Sequence, residues 1–197
     1  MLIALEGGEG CGKSTQAARL AARLGAVLTR EPGGSELGER IRSLLLDPDG
    51  VPIAPRAEAL LMAAARAQHV AEVIGPALDA SRTVVTDRYV GSSLAYQGHG
   101  HGLDVDDVAA LSAFAVDGSA ADLVVLLTVP AEVAAARLTG RPDRLEGLGD
   151  AFHRRVADGF AALALADPDR WIEVDGTGDP DAVEARVWSA VAPRLAR

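Results

Sequence analysis

The feature that most constrains this chain is a glycine-rich octapeptide near its start, Gly7-Gly8-Glu9-Gly10-Cys11-Gly12-Lys13-Ser14. It matches the pattern G-x-x-x-x-G-K-[ST], in which backbone N–H groups of a loop surround a phosphate chain. Lys13 is the only lysine in the sequence, and all the other basic residues of the Lys and Arg type are arginines. A lysine is a compact charge on a thin stem, so it enters such a loop more easily than an arginine does.

The residues on both sides of this loop agree with that interpretation. Leu2-Ile3-Ala4-Leu5 is a short apolar run, typical of a buried parallel strand. Apolar residues then recur at helical spacing up to Leu24, and Gly25 is placed to end the helix. We therefore predict a P-loop in which Lys13 neutralises phosphate charge and Ser14 binds Mg²⁺; the alternative is a glycine-rich turn without a ligand. The predicted ATP-binding residues of this segment are Gly7, Gly8, Glu9, Gly10, Cys11, Gly12, Lys13, Ser14 and Thr15.

Composition limits the function less sharply. The chain has 197 residues, 49% hydrophobic and 24% charged, which fits a single domain over residues 1–197. A net charge of −9 argues against a protein that coats nucleic acid, because that function needs a basic face. The chain shows no signal peptide and no apolar run of about 18 residues, so we expect a soluble cytoplasmic protein without membrane contact. Cys11 is the only cysteine, which excludes an internal disulfide.

Apolar strand-like runs alternate with helical patterns along the whole chain. Beyond residues 2–5, the predicted strands are residues 26–29, 83–86, 123–128 and 171–174. This alternation predicts an α/β fold, a five-stranded parallel sheet covered by helices on both faces, as in P-loop NTPases. Ligands in such folds bind at the carboxyl ends of the strands. We also predict one helix over residues 56–80, which Pro76 bends or ends, and a flexible glycine-rich link over residues 98–102.

Asp87-Arg88-Tyr89 directly follows the third predicted strand. An aspartate at this strand end is suited to a Mg²⁺ contact beside Ser14, and Arg88 to a second phosphate. The alternative is that Asp87 caps the next helix and pairs with Arg88. A GTPase would need an Asn-Lys-x-Asp motif, and the chain has no asparagine and no second lysine, so a small-molecule kinase fits better.

Taken together, these motifs resemble the thymidylate kinase family over nearly the whole chain. The matching segments are Glu6 to Gln16, the loop Thr29-Arg30-Glu31-Pro32-Gly33-Gly34-Ser35, the helix motif Arg66-Ala67-Gln68-His69, Asp87-Arg88-Tyr89 with Ser92-Ser93 and Ala95-Tyr96-Gln97-Gly98, and Asp143-Arg144-Leu145-Glu146. The combination is far more specific than the P-loop alone.

The resemblance implies roles that spacing alone does not assign. Arg66 would hydrogen-bond a thymine carbonyl, and Ser93 would lie near the other polar edge of the base. Tyr96 would crowd the 2′ position of the sugar and favour deoxyribose. Arg88 would bind the dTMP phosphate, and Glu9 would lie near the 3′-hydroxyl or the metal. The implied substrate-binding set is Glu9, Pro32, Met62, Arg66, Asp87, Arg88, Ser93, Tyr96 and Gln97, and the implied metal ligands are Ser14 and Asp87.

Family members differ in whether a catalytic arginine lies in the P-loop or in the lid. Position 10 is glycine here, whereas Arg137, Arg141 and Arg144 lie in or beside the predicted lid, about residues 137–149. Closure would bring one or two of them onto the transferred phosphoryl group; the alternative is a solvated charged loop. Arg137 and Arg141 are expected to contact ATP, and Arg141 is the first choice for catalysis. The predicted catalytic set is Lys13, Arg88, Arg141 and Glu9.

The chain departs from the family pattern at two positions. Met62 stands where relatives usually have a phenylalanine stacked on thymine, and a methionine can still pack on a ring. His101 stands where relatives usually have an arginine. His99 and His101 could suggest a metal pair, but their glycine neighbours and the lack of a third ligand nearby argue against it. Whether the Glu31–Pro32 bond is cis is left open by the sequence.

The sequence therefore predicts an Mg²⁺-dependent kinase that transfers the γ-phosphoryl group of ATP to dTMP, giving dTDP and ADP for dTTP synthesis. The resemblance also implies a homodimer. Two alternatives stay open at this point. One is a kinase for another nucleoside monophosphate or for a nucleoside, and the other is a non-catalytic nucleotide-binding module.

Overall fold

The computed structural model describes residues 1–195, which are built around a parallel sheet. Its strands are β1 (Leu2–Glu6), β2 (Val27–Arg30), β3 (Val84–Asp87), β4 (Leu123–Thr128) and β5 (Trp171–Asp175). They lie in the order β2-β3-β1-β4-β5, and each neighbouring pair is parallel. The predicted five-stranded parallel sheet is confirmed. The predicted domain, residues 1–197, extends two residues beyond the described part.

Helices connect the strands throughout residues 1–195. The α-helices are α1 (Lys13–Leu24), α2 (Glu36–Leu46), α3 (Pro55–His69), α4 (Gly75–Asp79), α5 (Val90–Ser93), α6 (Val105–Val116), α7 (Ala131–Arg137), α8 (Asp150–Ala166) and α9 (Pro180–Leu195). Two π-helical segments, Val70–Ile74 and Leu94–Gly100, and the 3₁₀ turn Glu146–Leu148 complete the connections. No helix of the described residues has both the length and the apolar character needed to cross a membrane.

Both faces of the sheet are covered, as predicted. On one face, Ile3 and Leu5 belong to a buried cluster with side chains of α1 and α9. On the opposite face, Leu2 and Ala4 pack with side chains of the π-helical segment Val70–Ile74 and of α6. Burial on both faces explains why β1 begins as an uninterrupted apolar run rather than as an alternating one.

Local signals define the helix ends that position the loops. The residue before α1, Gly12, has φ 94°, a left-handed conformation that glycine adopts with little strain. The same helix ends at Gly25, φ 60°, as predicted. α2 begins after Ser35, whose Oγ accepts a hydrogen bond from the backbone N–H of Gly38 at 3.1 Å.

The prediction of a flexible link over residues 98–102 is wrong. Residues up to Gly100 belong to a π-helical segment, and both Gly98 and Gly100 are buried. A Cβ added at Gly100 would lie 2.7 Å from Cε2 of Phe152 in α8. The glycines therefore allow close packing between two helical segments, and composition alone does not distinguish this use of glycine from flexibility.

The predicted helix over residues 56–80 is helical but not uniform. It consists of α3, the π-helical segment Val70–Ile74 and α4. Pro76 has no N–H for a helical hydrogen bond, and the wider π-turn lies directly before it. Helical backbone continues through Pro76 to Asp79, so the proline does not end the helix.

Substituting Gly100→Ala should destabilise the protein, because the buried ring of Phe152 and the buried Val156 leave no room for a methyl group. Overpacking of this kind costs about 1–3 kcal/mol. Urea unfolding of the variant checks this value. Gly147→Ala is the matched control, since a Cβ there meets no atom within 4 Å; equal stability of the two variants would contradict the packing explanation.

Candidate active site

Three strands bring polar side chains to one edge of the sheet. β1 ends at Glu6 and leads into the glycine loop, and the neighbouring β3 ends at Asp87. β2 ends beside them at Arg30. Leu5 and Asp87 are register partners, and the backbone N–H of Arg88 donates to the carbonyl oxygen of Leu5 at 2.9 Å. The glycine loop and the segment after β3 are thus held side by side.

The glycine loop is closely folded around Lys13. The Lys13 side chain is buried, and its Nζ donates to the carbonyl oxygen of Gly8 at 2.6 Å and lies 3.6 Å from the Cys11 Sγ. Gly10 has φ 71°, and a Cβ there would lie 2.5 Å from the carbonyl oxygen of Ala134 in α7. Position 10 therefore has no room for a side chain, which is consistent with the P-loop's lack of an arginine.

Ser14 and Asp87 meet beneath the loop, where Ser14 Oγ donates to Asp87 Oδ2 at 2.5 Å. Asp87 Oδ1 is buried and has no hydrogen-bond partner among the described residues. A hydroxyl beside an unpartnered carboxylate oxygen fits Mg²⁺, which prefers oxygen ligands. Within residues 1–195 no group of three or more His, Cys, Asp or Glu side chains could hold a metal, so an ion here would also need ligand phosphates. The alternative interpretation of Asp87 as a helix cap is wrong, because no side chain caps α5.

Arg88 is the centre of a polar cluster between the two loops. Its backbone has φ 70°, a left-handed conformation that is uncommon for a residue with a side chain. Its guanidinium pairs with the Glu9 carboxylate at 2.5 Å and donates to the Tyr96 hydroxyl at 3.2 Å, and that hydroxyl donates to Glu9 at 2.9 Å. Burial raises the pKa of Glu9, but Arg88 and Lys13 outweigh it and lower this pKa to about 2. Glu9 is therefore ionised at neutral pH.

Glu6 holds the segment that follows Arg88, and the sequence analysis gave this glutamate no role. Its buried carboxylate accepts hydrogen bonds from the backbone N–H groups of Tyr89 and Ser92, at 2.9 and 3.0 Å, and from the Ser92 hydroxyl at 2.6 Å. Ser92 Oγ in turn accepts from Arg88 at 2.9 Å. Burial outweighs these hydrogen bonds and raises the pKa of Glu6 to about 7. A glutamate at the end of an otherwise apolar strand was the signal that could have identified it.

Two neighbouring cavities share Glu9 and Arg88 in their walls. Most of the predicted substrate-binding residues line the first: Glu9, Pro32, Met62, Arg66, Arg88, Ser93, Tyr96 and Gln97. Asp87 lines the second, together with Lys13 and Ser14. The residues common to both walls are Glu9, Glu31, Arg42 and Arg88. Of the predicted ATP-binding residues, Glu9, Lys13 and Ser14 line the second cavity. The Glu9–Arg88 pair therefore lies in the wall of both cavities.

The sequence analysis missed several residues of the first cavity. Arg42, from α2, donates to the carbonyl oxygen of Pro32 at 3.0 Å and faces both cavities. The Glu31–Pro32 peptide bond in the same wall is cis, which answers the question that the sequence left open. This cavity is also lined by Leu46 and by Asp143, Leu145 and Glu146. The last three belong to a motif to which the sequence analysis assigned no place in the cavity. An arginine on an amphipathic helix has no local signature of a site, so only the packing of α2 reveals it.

Arg66 is 3% exposed, and its hydrogen bonds fix its orientation in the first cavity. Its Nε donates to Glu31 at 2.7 Å, and its Nη2 donates to Ser93 Oγ and to the carbonyl oxygen of Tyr89, both at 3.0 Å. Its Nη1 donates to Ser112 Oγ at 3.3 Å. The guanidinium has five N–H groups, and four of them have these partners among residues 1–195. The remaining N–H of Nη1 is available as a donor to a ligand.

The three arginines of the predicted lid occupy three different places. Arg137 lies against the glycine loop, where it donates to the carbonyl oxygens of Gly10, Gly176 and Gly178 at 3.0–3.4 Å. Arg141 makes two hydrogen bonds to Asp49, at 2.6 and 2.8 Å, and both side chains are largely exposed. In this conformation Arg141 contacts neither cavity wall.

Arg144 and the two histidines point elsewhere. Arg144 pairs with the buried Glu58 at 2.7 Å. His101 also contacts Glu58, at 3.1 Å between Nε2 and Oε1, whereas His99 packs on Gly159. The two histidines therefore have separate surroundings, which agrees with the argument against a metal pair.

Substituting Glu6→Gln should change how stability depends on pH. Folded Glu6 keeps its proton up to about pH 7, whereas an ordinary glutamate loses it near 4.5. The unfolded chain therefore binds fewer protons than the folded one in this window, and the wild type loses stability as pH rises through it. Relative to the variant, we expect the free energy of unfolding of the wild type to fall on the order of 2 kcal/mol.

Urea unfolding of both proteins at intervals between pH 4.5 and 7 measures this difference. Glu36→Gln is the control, because Glu36 is exposed and forms only a surface pair with Arg40. A difference between wild type and Glu6→Gln that stays constant with pH would show that Glu6 does not titrate in this range.

Comparison with known proteins agrees with this geometry. The family model described as thymidylate kinase matches residues 5–187. Thymidylate kinase of Synechococcus sp. (strain JA-2-3B'a(2-13)) is 50% identical over 200 residues, which cover 99% of this chain and 96% of that protein. Thymidylate kinase of Deinococcus radiodurans is 47% identical, over 98% of this chain and 97% of that protein.

A solved structure has the same architecture. The crystal structure of thymidylate kinase from Ehrlichia chaffeensis superposes with a TM-score of 0.81 at 29% identity, covering 97% of this chain and 98% of that one. A family match over most of the chain, relatives of nearly equal length, and a cavity wall built from the motif residues all lead to one conclusion. This chain belongs to the thymidylate kinase family.

Proposed function

We propose that this chain transfers the γ-phosphoryl group of ATP to dTMP, giving dTDP and ADP for dTTP synthesis. The observation that carries the proposal is the pair of neighbouring cavities that share Glu9 and Arg88. One is lined by Lys13 and Ser14, the other by Arg66 and Ser93, and Arg88 lies in the wall of both. A donor and an acceptor can therefore meet at Arg88, and positioning with charge neutralisation provides most of the catalysis in phosphoryl transfer.

On the donor side, the loop backbone and Lys13 would hold the ATP phosphates. Arg137 would contact ATP from the lid side, since its guanidinium already lies on the carbonyl oxygen of Gly10. Ser14 and Asp87 would hold Mg²⁺, which would neutralise charge on the β- and γ-phosphates. The unpartnered Asp87 Oδ1 supports this assignment.

On the acceptor side, the residues divide between base, sugar and phosphate. The free Nη1 hydrogen of Arg66 would donate to a thymine carbonyl, and Met62 would pack on the ring. The Tyr96 hydroxyl, held by Glu9, would occupy the space beside the 2′ position and favour deoxyribose. Arg88 would bind the phosphate, for which a guanidinium fork is suited.

We assign the whole chain, residues 1–197, to one nucleoside monophosphate kinase domain, with a lid over about residues 137–149. Arg141 is the lid residue proposed for catalysis, together with Lys13, Arg88 and Glu9. It would have to leave Asp49, to which it is bound at the surface. Exposed pairs of this kind contribute about 0–1 kcal/mol, so releasing Arg141 towards a transferred phosphoryl group costs little.

We also propose that the enzyme is a cytoplasmic homodimer that needs neither nucleic acid nor membrane. The support for a dimer is apolar surface on two helices that pack together, α3 and α6. Phe114 of α6 is 85% exposed and Leu60 of α3 is 58% exposed. Apolar side chains exposed on two packed helices can form one contiguous patch, which marks a surface that associates with another protein, whereas a single exposed apolar side chain does not.

ADP release from ATP and Mg²⁺ tests the function, with dTMP, dUMP, dCMP, dGMP, AMP and thymidine as separate acceptors. We expect a strong preference for dTMP. Lys13→Ala should lower kcat/KM for dTMP by about 10²-fold or more, because a buried charge beside the transferred group is lost. Circular dichroism checks that the variant is folded, and Arg154→Ala, at an exposed position of α8, is the control.

The outcomes separate the alternatives. A preference for another acceptor would reassign the pocket around Met62, Arg66 and Ser93 while leaving the phosphate chemistry intact. ADP release that no acceptor stimulates would favour a nucleotide-binding module. Full activity of Lys13→Ala would overturn the role assigned to this lysine.

Sedimentation velocity at micromolar concentration tests the dimer. Phe114→Arg should shift the protein to monomer, because it places a charge in an apolar interface. Leu165→Arg is the matched control, since Leu165 is 83% exposed but lies on α8. Dimers that survive Phe114→Arg, or a wild type that sediments as a monomer, would contradict the proposed interface.

A further inference from the structure

Glu58, in the first turn of α3, is a completely buried carboxylate to which neither the motifs nor the proposed mechanism assigns a role. Its Oε1 accepts hydrogen bonds from Gln97 Nε2 at 2.8 Å and from His101 Nε2 at 3.1 Å. Its Oε2 accepts from Arg144 Nη2 at 2.7 Å. Three donors from two other segments of the chain therefore converge on one side chain.

The position of Glu58 on its helix relates it to the acceptor cavity. Glu58, Met62 and Arg66 are spaced four residues apart, so they share one face of α3. Met62 and Arg66 line the cavity. Glu58 is thus fixed to the same rigid element as the residues proposed to bind the base.

Arg144 connects Glu58 to the lid. Its Nε donates to the carbonyl oxygen of Leu45 at 2.6 Å, and its backbone N–H donates to the carbonyl oxygen of Leu46 at 3.2 Å. The adjacent residues Asp143 and Leu145 line the acceptor cavity. The side chain of Arg144 therefore determines where this cavity wall lies relative to α3.

Gln97 and His101 connect Glu58 to a third segment. Gln97 itself lines the acceptor cavity, and the hydrogen bond to Glu58 orients its amide. The His101 ring packs on Phe152 of α8, with centroids 4.9 Å apart. The segment from Arg144 to Phe152 is therefore connected to Glu58 at both ends. Arg144 contacts Glu58 directly, and Phe152 contacts it through His101.

The hydrogen bonds are sufficient to keep this carboxylate charged. Burial alone would raise the pKa of Glu58, but the donors His101, Gln97 and Arg144 outweigh it and hold that pKa below its ordinary value. Buried ion pairs are weak evidence for stability, since desolvation offsets most of the attraction. Removing either partner is nevertheless unfavourable, because it leaves a charge unpaired at a buried position.

We propose that Glu58 is a positioning residue for the phosphoryl acceptor: its carboxylate holds the lid segment around Arg144 and the Gln97 amide against the α3 face that binds the base. The inference rests on the proposed function, because it concerns the same acceptor cavity. It assigns Glu58 no contact with the substrate, so its loss acts through the shape of the cavity.

Steady-state kinetics of Glu58→Gln, Arg144→Gln and the double variant test this role. Glutamine keeps the shape of the Glu58 side chain but has only one acceptor oxygen and no charge. Its NH₂ group therefore cannot replace the carboxylate oxygen that accepts from Arg144. We expect KM for dTMP to rise about tenfold in each single variant, with KM for ATP within about twofold of the wild type. Residues that act through one contact are not additive, so the double variant should be about as impaired as the worse single variant. Glu36→Gln, the same change in an exposed pair, is the control.

A structural role alone would lower the melting temperature and the fraction of active enzyme while both KM values stay unchanged, and that result would overturn the proposal. Additive effects of the two substitutions would overturn it as well. Should Glu58→Gln fail to fold, Arg144→Gln still decides, because it alters the contact from the partly exposed lid side. A wild type without dTMP-dependent ADP release would instead refute the proposed function itself.

Discussion

The parallel pairing of β1 with β3 is the constraint on which the rest of the site depends. Its register places Leu5 opposite Asp87, and it therefore brings the glycine loop after β1 next to the Asp87-Arg88 segment after β3. The Ser14–Asp87 and Glu9–Arg88 contacts both follow from this adjacency. Both strands are buried, so a shift of this register would move their apolar side chains out of place. The register is therefore fixed by the core and not by the polar cluster.

Two glutamates only three residues apart in sequence have opposite electrostatic surroundings. Burial raises the pKa of Glu6 to about 7 despite its hydrogen bonds and the nearby Arg88, whereas for Glu9 the charges of Arg88 and Lys13 outweigh burial and lower the pKa to about 2. One carboxylate thus shapes the loop after β3, and the other supplies a fixed negative charge in the site. Environments that separate the pKa values of neighbouring carboxyl groups are typical of sites with divided chemical roles.

The lid is bound to the rest of the chain at contacts of very different strength. Arg141 is held by an exposed pair that contributes little, whereas Arg144 is held in a nearly buried network around Glu58. If this stretch acts as the proposed lid, we expect the part near Arg141 to move more readily than the part near Arg144, whose neighbours Asp143 and Leu145 line the first cavity. Such a division suits an enzyme that must close over ATP without losing the geometry of its acceptor pocket.

The sequence by itself determined the sheet, its parallel strands and the P-loop, because hydrophobic periodicity and glycine spacing are local properties. The motif residues that line the first cavity were predicted through the family resemblance instead. It also led to an error at residues 98–102, where glycines serve packing against α8 rather than flexibility. Arg42 and Glu58 became visible only in three dimensions, since each acquires its role from partners far away in the chain. Tertiary structure alone decided which charges are buried together, and burial acts together with neighbouring charges and hydrogen bonds to change a glutamate's pKa.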